Sequence, residues 1–282
     1  MIAFLGMGLL GSNFVKALLK RGEEVTVWNR TPGRTDDLEK WGAKVAKTPG
    51  EAVQNADCIH LTLKDDVSVD QVLEAAAPHW KPGAVAVDHT TTSVDGARQR
   101  AAHWASLGHE YLHAPVFMGP GNAAESTGRM IASGSPSSFA KVKTSLEKMT
   151  GTLEWAGDDT GRAASLKLLG NLLIVSVVGS LRDMLSLAKS LGVPTDEVRR
   201  LVENLNAGSM LEVRLDRVLT AAFEDPSWEL QMARKDTELM MHEAQAANWH
   251  LAVIPAVAGV MDEWIARGFS NADWTVITKE VR

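Results

Sequence analysis

Cysteine is almost absent from this chain: Cys58 is the only one. A single thiol excludes an internal disulfide and a cysteine-cluster metal site, and it fits a reducing, cytoplasmic setting. An excess of positive charge is lacking as well. The 35 acidic residues outnumber the 29 basic ones, for a formal net charge of −6. That balance argues against a nucleic-acid groove while leaving room for a local basic pocket. No stripe of lysine or arginine interleaved with aromatic residues is present either. The eight histidines show no metal-ligand spacing, and the run HWASLGH, 103–109, matches no zinc signature, so no metal site is expected. Long unbroken apolar runs are missing too. The stretch from Leu168 to Val178 is interrupted by Gly170 and Asn171, and it reads as too short for a membrane span. The opening MIAFLGMGLLG is apolar, but it carries no basic leader or small-residue cleavage pattern and does not read as a signal peptide.

What is present describes a globular chain of 282 residues, 45% hydrophobic and 23% charged, long enough for two domains. Strand-like runs at 2–5, 23–29, 44–47, 57–63, 84–88, 110–112, 129–133 and 153–156 alternate with helical patterns at 9–20, 67–77, 94–106 and 136–148. Thr48, Pro49 and Glu51 have the spacing of a capping box. This alternation predicts a mostly parallel sheet covered on both faces. After about residue 160 the strand signals stop. Helices are expected at 162–190, 195–206, 209–221, 229–247 and 255–267. The boundary is placed in GDDTG, 157–161, giving a nucleotide-binding domain at 1–160, an all-helical substrate and oligomerisation domain at 161–282, and a cleft between them.

GMGLLG, 6–11, follows a strand and opens a helix. In a dinucleotide site Gly6 permits the tight turn, Gly8 lets a pyrophosphate approach, and Gly11 lets the helix approach the sheet. Met7, Leu9 and Leu10 lie between them, and the helix start supplies N–H groups for phosphate. A plain structural turn would use the same glycines, but the order strand, glycines, helix favours the nucleotide. The second strand ends in WNRT, 28–31, without the carboxylate that would hold a free ribose hydroxyl. Arg30 suits a 2′-phosphate and adenine instead, with Asn29 and Thr31 as further donors, so NADP(H) is expected over NAD(H). An exposed polar turn is the simpler alternative.

Lys167 lies within GRAASLKLLGNLLIVSVV and shares a helix face with Asn171. A lysine there either reaches solvent along its stem or donates a proton to a substrate carbonyl, with Asn171 orienting the same oxygen. Burial lowers its pKa and a nearby anion opposes that change.

These segments together resemble the β-hydroxyacid dehydrogenase family over nearly the whole chain. FLGMGLLG is similar to its nucleotide segment, GRAASLKLLGN to its lysine segment, and VWNRT to its NADP-preferring semialdehyde reductase branch. The resemblance implies a Rossmann-type α/β domain followed by an all-α domain, as in 6-phosphogluconate dehydrogenase. It implies Lys167 as the catalytic lysine with Asn171 in support. Lys235, in LQMARKDTELM, is implied near nicotinamide and substrate, with Asp236 beside it. In VDHTTTS, Thr90 is implied at the substrate and Thr91 at the cofactor, and Leu63 of LTLKDD covers part of the cofactor.

One segment departs from the family. HAPVFMGPG, 113–121, has His113 where an acidic residue is usual. After Val116, Phe117 and Met118 replace the first two residues of a Ser-Gly-Gly run that helps hold a substrate carboxylate, and only Gly119 remains. Val116, Phe117, Met118 and Gly119 therefore line a pocket for a different substrate, less polar or larger. The reading is an NADPH-dependent reductase of a small aldehyde, semialdehyde or keto acid, acting as a homodimer or homotetramer. An imine reductase, which generally lacks this lysine, is the second choice, and a non-catalytic NADP-binding protein the third.

Overall fold

Short aliphatic and β-branched runs, each closed by glycine or by a helix-capping residue, give the first half of the chain its alternation. The computed structural model describes residues 1–281. Nine strands form one sheet: β1 (Ile2–Leu5), β2 (Val25–Trp28), β3 (Lys44–Val45), β4 (Cys58–Leu61), β5 (Val85–Asp88), β6 (Glu110–His113), β7 (Val116–Phe117), β8 (Arg129–Gly134) and β9 (Thr152–Trp155). Their order is β3-β2-β1-β4-β5-β6-β8-β7, with β9 added beside β8. The first six in that order run parallel. β8 is antiparallel to β6 and β7, and β9 runs parallel to β8. The strand order reverses direction at β1 and β4, which makes the carboxyl ends of those strands the switch point of a dinucleotide fold.

The helices between them are α1 (Leu9–Lys20), α2 (Asp36–Lys40), α3 (Pro49–Val53), α4 (Asp66–Ala76), α5 (Val94–Ser106), α6 (Pro120–Glu125) and α7 (Pro136–Glu147). Strand alternation sorts side chains between two cores. Ile2, Phe4, Val85 and Val87 meet Phe14 and Leu18 of α1 on one face. Ala3, Leu5, Ile59, Leu61 and Ala86 meet Val69 and Leu73 of α4 and Trp104 of α5 on the other. Thr48, Asp65, Ser93 and Ser135 each accept an N–H bond at a helix start. β7 and α6 were not expected from the sequence. APVFMGPG reads as irregular because two prolines and two glycines hide a two-residue strand, whose pairing to Met130 and Arg129 is non-local.

Three polar side chains run through the first core. His89 Nδ1 lies 2.7 Å from the Ala114 carbonyl, which only accepts, so Nδ1 carries the proton. His89 Nε2 then accepts from His60 Nδ1 at 2.9 Å, and His60 Nε2 accepts from the Cys58 thiol at 3.3 Å. Burial keeps this chain neutral. It pushes His89 down to about 4 and His60 well below its usual value, and it pushes the Cys58 thiol up to about 12. Phe4 stacks on both imidazoles.

The chain divides into two compact units, Met1–Asn171 and Leu172–Arg282. The helix α8 (Gly161–Ser190) begins in the first unit and continues into the second. It is followed by α9 (Thr195–Leu205), α10 (Ala207–Thr220), α11 (Leu230–Ala246), α12 (Ile254–Ala266) and a 3₁₀ turn at Trp274–Thr278. The core of the second unit is Phe223, Leu230, Ala233, Met261, Trp264 and Val276. Asp183 of α8 is buried and accepts from the backbone N–H groups of Ala252, Val253 and Ile254, which caps the start of α12.

Leu168, Leu172, Ile174, Val175, Val178, Leu181 and Leu185 of α8 are exposed. Among the described residues α8 is the one helix long and apolar enough, by length and composition, to cross a membrane. That corrects the expectation of a run too short to span, because the helix continues well past Val178. What argues against spanning is polar anchoring. Lys167 and Asp183 are both buried in protein, and the sixteen positions between them cover about 24 Å, short of the roughly 30 Å hydrocarbon layer.

The neutral imidazole chain makes stability acid-sensitive. The folded pKa of His89 lies below its unfolded value, so its contribution is complete above pH 6.5 and is lost as pH falls toward about 4, amounting to about 3 kcal/mol. Urea midpoints measured from pH 7 to pH 4.5 are expected to fall more steeply in the wild type than in His89→Asn. Equal slopes would remove the imidazoles from the account.

Candidate active site

The turn from β1 to α1 is closed by backbone packing that admits only glycine at two positions. Gly6 has φ +101°, and a Cβ there would lie 2.3 Å from the Thr62 carbonyl oxygen. A Cβ on Gly11 would lie 2.1 Å from the Gly6 carbonyl oxygen and 2.3 Å from Thr62 Oγ1. Gly8 differs, because a Cβ there would enter open space. The turn is tied down from both sides: the Thr62 hydroxyl donates to the Gly6 carbonyl at 2.8 Å, and Asn29 Oδ1 accepts from the Met7 N–H at 2.9 Å. Unlike the four capped helices, α1 starts without a side-chain cap and without an acidic residue in its first turn. An uncapped helix start beside open space fits the phosphates of a dinucleotide. Leu9 is exposed and Leu10 half-buried, while Met7 is buried beneath the turn.

A cavity of about 290 Å³ adjoins the turn. Its walls include Trp28, Leu63 and Val72, and its polar rim carries Arg30, Thr31, Lys64 and Ser68 but no carboxylate. Arg30 and Thr31 are exposed. Lys64 is paired with Asp65 at 3.7 Å, which leaves Arg30 as the cation suited to a phosphorylated ribose, with the apolar wall available to adenine. Asn29 has a different part from the one its sequence position suggests. Its amide donates to the Thr31 carbonyl at 2.9 Å while its oxygen holds Met7, so it ties the end of β2 to the glycine turn.

The loop after β5 is internally engaged. The Thr90 hydroxyl accepts from the Leu63 N–H at 2.9 Å, and the Thr90 N–H donates to Asp88 Oδ1 at 2.9 Å. Thr90 is buried, and Thr91 is the exposed member of the pair. Asp88 also accepts from the Tyr111 hydroxyl at 2.8 Å, which in turn accepts from Arg100 Nε at 3.2 Å. Burial raises the Asp88 pKa, partly offset by these bonds. His113 is fully buried with neither ring nitrogen bonded, and burial pushes it down to about 3. It is a neutral core residue.

Lys167, assigned on sequence to the second domain, belongs in the structure to the Met1–Asn171 unit. The first turns of α8 are docked by Ser133, whose hydroxyl accepts from the Ala163 N–H and donates to the Thr160 carbonyl. Ala163 and Ala164 are buried there, and Lys167 keeps only 9% of its surface exposed. Its ammonium donates to the Val116 carbonyl at 2.8 Å and sits 4.2 Å from the centre of the Phe117 ring. Burial lowers its pKa from the ordinary lysine value. The structure therefore brings Lys167, Val116 and Phe117 together, with Met118 half-buried and Gly119 exposed in the same loop. Asn171 is half-buried one turn further along α8. Lys235 and Asp236 lie on α11 in the other unit, paired to each other at 3.1 Å. Sequence reasoning missed Thr62, Asp88 and Asn122. Thr62 and Asp88 stood within the quoted runs LTLKDD and VDHTTTS, but their partners Gly6 and Tyr111 are remote in sequence.

The chain has relatives over its full length. Residues 1–157 match the family model of the NAD binding domain of 6-phosphogluconate dehydrogenase, and residues 161–281 match that of NADP-dependent 3-hydroxyisobutyrate dehydrogenase. An uncharacterized oxidoreductase of Shewanella frigidimarina is 30% identical over 91% of this chain and 89% of its own. Another, from Bacillus subtilis, is 26% identical over 100% and 99%. Among solved structures, an imine reductase from Myxococcus stipitatus in complex with NADP+ matches with a TM-score of 0.92, at 24% identity over 100% of both chains. At that identity the likeness is one of fold.

Arg30→Ala is expected to weaken binding of NADPH at least roughly tenfold, the loss of one charge-assisted phosphate contact, and to leave NADH binding nearly unchanged. Fluorescence titration of both cofactors checks this, and equal losses would make Arg30 a structural residue only.

Proposed function

The chain belongs to the β-hydroxyacid dehydrogenase family of NAD(P)-dependent oxidoreductases, and on that premise we propose that it reduces a small aldehyde, semialdehyde or keto acid with NADPH, using Lys167 as the general acid. The observation that carries the reading is the Lys167 ammonium, buried on α8 and held by the Val116 carbonyl at 2.8 Å. The glycine turn, the uncapped α1 and Arg30 would hold NADPH, which when bound supplies a hydride.

The ammonium has three N–H donors. One is engaged by Val116 and another faces the Phe117 ring, so one is left for a substrate oxygen. The carbonyl and the π-face both favour the charged form, whereas burial disfavours it. The result is a stronger acid than an exposed lysine. As the substrate carbonyl carbon is reduced, its oxygen gains charge and takes the proton from Nζ. In the oxidative direction the neutral amine takes it back. Asn171, four positions beyond Lys167 on the same helix face, would orient that oxygen.

Imine reduction is the second reading. It is supported by the fold likeness to the Myxococcus stipitatus enzyme and by the loss of hydroxyl and small residues at 117–118. A cationic iminium would be repelled by the Lys167 ammonium, which places this reading behind carbonyl reduction. Imine turnover that survives Lys167→Ala would reverse the order, and NADPH binding without turnover of aldehydes, keto acids or cyclic imines would favour a non-catalytic protein.

We further propose a homo-oligomer in which a second copy covers the apolar face of α8. Contiguous exposed apolar surface of this extent marks an interaction site. Sedimentation equilibrium at micromolar concentration is expected to give a dimer or tetramer. Val178→Asp should shift it toward monomer, and a monodisperse wild-type monomer would refute the assembly.

Lys167→Ala is expected to lower kcat for carbonyl reduction by roughly 10²- to 10⁴-fold while leaving NADPH binding intact. In the wild type, reduction should decline as pH rises through a value below the ordinary 10.5 of lysine, because the donor must be protonated. A profile flat through that range, or full activity in Lys167→Ala, would sink the assignment.

A further inference from the structure

We propose that Phe117, seated in a notch made by Gly170, determines specificity at this site and restricts the substrate to carbonyl compounds without a carboxylate. The proposal rests on the reading of Lys167 as the proton donor and narrows the wider carbonyl class proposed above, setting aside its keto acids and acidic semialdehydes.

The notch is steric. A Cβ on Gly170 would lie 2.3 Å from Phe117 Cζ and 2.5 Å from Cε1, so the ring occupies the volume that any other side chain at 170 would need. Gly170 is three positions beyond Lys167, on the adjoining face of α8. Ring and ammonium therefore come as one unit, with Nζ 4.2 Å from the ring centre.

The side chains of Val116, Phe117 and Met118 offer an anion no donor, and Gly119 has no side chain. Met118 packs against the first core, and its Cγ lies close to Gly128. The Gly119 N–H is already engaged by Asn122 Oδ1 at 2.9 Å. A carboxylate placed there would face the negative π-surface of the ring, with neither hydroxyl nor free Gly119 amide to replace its water. The remaining N–H of Lys167 serves one oxygen, that of the reacting carbonyl, and does not serve a carboxylate as well. An alkyl or aryl substituent gains contact with the ring and with Met118. The substrate that fits is an uncharged aldehyde or ketone with an apolar substituent.

The test compares 4-oxobutanoate with its methyl ester, two substrates that differ chiefly in charge. With the full-length wild type and saturating NADPH, kcat/KM for the ester is expected to exceed that for the acid at least roughly tenfold. Phe117→Ser should raise kcat/KM for the acid and erase the preference, while Phe117→Leu should keep it. Gly170→Ala, a change that favours a helix in itself, should displace the ring and weaken the preference without loss of thermal stability. A second readout needs no turnover. Calorimetric titration of the NADP+ complex is expected to show butyramide binding to the wild type and butyrate binding only to Phe117→Ser. A wild type that prefers the acid, a preference unchanged in Phe117→Ser, or butyrate binding as well as butyramide would overturn the proposal. Absence of turnover with both substrates would count against Lys167 as the donor, and the titration would still decide the role of Phe117.

Discussion

One ammonium held away from water organises the contacts between β7 and the start of α8. Lys167 could not remain at 9% exposure without partners, since an unpaired buried charge is costly. Its partners are a backbone carbonyl on a two-residue strand and the face of the next side chain. Neither partner is an anion, so the charge is tolerated but not clamped, and the proton stays transferable. A carboxylate in the same place would hold the proton more tightly and give a weaker acid. The short strand β7 exists in this sense to present Val116 and Phe117 together, and the docking of Ala163 and Ala164 against Ser133 fixes the helix that brings the lysine to them.

The nucleotide end depends on the opposite arrangement, in which the N–H groups at a helix start are left without a side-chain cap. The first turn of α1 lacks the side-chain acceptor that α3, α4, α5 and α7 all possess, and Arg30 and Lys64 rim a cavity without a carboxylate. Thr62 and Asn29 keep the turn rigid by bonding its backbone at Gly6 and Met7, which leaves the region around Gly8 open. Rigidity and vacancy at adjacent residues are what let a backbone turn recognise phosphate with little reorganisation.

Much of this was legible in the sequence, and the limits are physical. The β1–α1 turn follows from glycine spacing because each glycine answers a local steric demand. The helix at 94–106 and the strand at 2–5 follow from periodicity. β7 and α6 were missed because their stability comes from pairing with β8 and from the Asn122 bond to Gly119, contacts that leave no periodic trace among prolines and glycines. Asn29 was read as a ligand donor, yet its amide is engaged within the chain, a fact visible only once β2 and the turn are adjacent. Lys167 was identified from its apolar surroundings; the second family model begins at residue 161, where the sequence boundary also falls, while helix α8 itself runs from the first compact unit into the second without any break in pattern.

The two ends suggest how binding and chemistry are divided. If Arg30 and the α1 amides recognise phosphate as proposed, they would anchor the cofactor without favouring any particular substrate. On the proposed reading specificity falls to the few contacts around the lysine, and those shown are an aromatic ring and a backbone carbonyl rather than hydroxyls. Apolar pockets discriminate weakly among apolar groups but strongly against an unsolvated charge. On the proposed reading, such a site would accept a range of uncharged carbonyl compounds of suitable size and reject anions. Phe117 and Gly170 act as a pair in that selection: the ring needs the missing side chain, and the missing side chain would leave a hole in α8 without the ring.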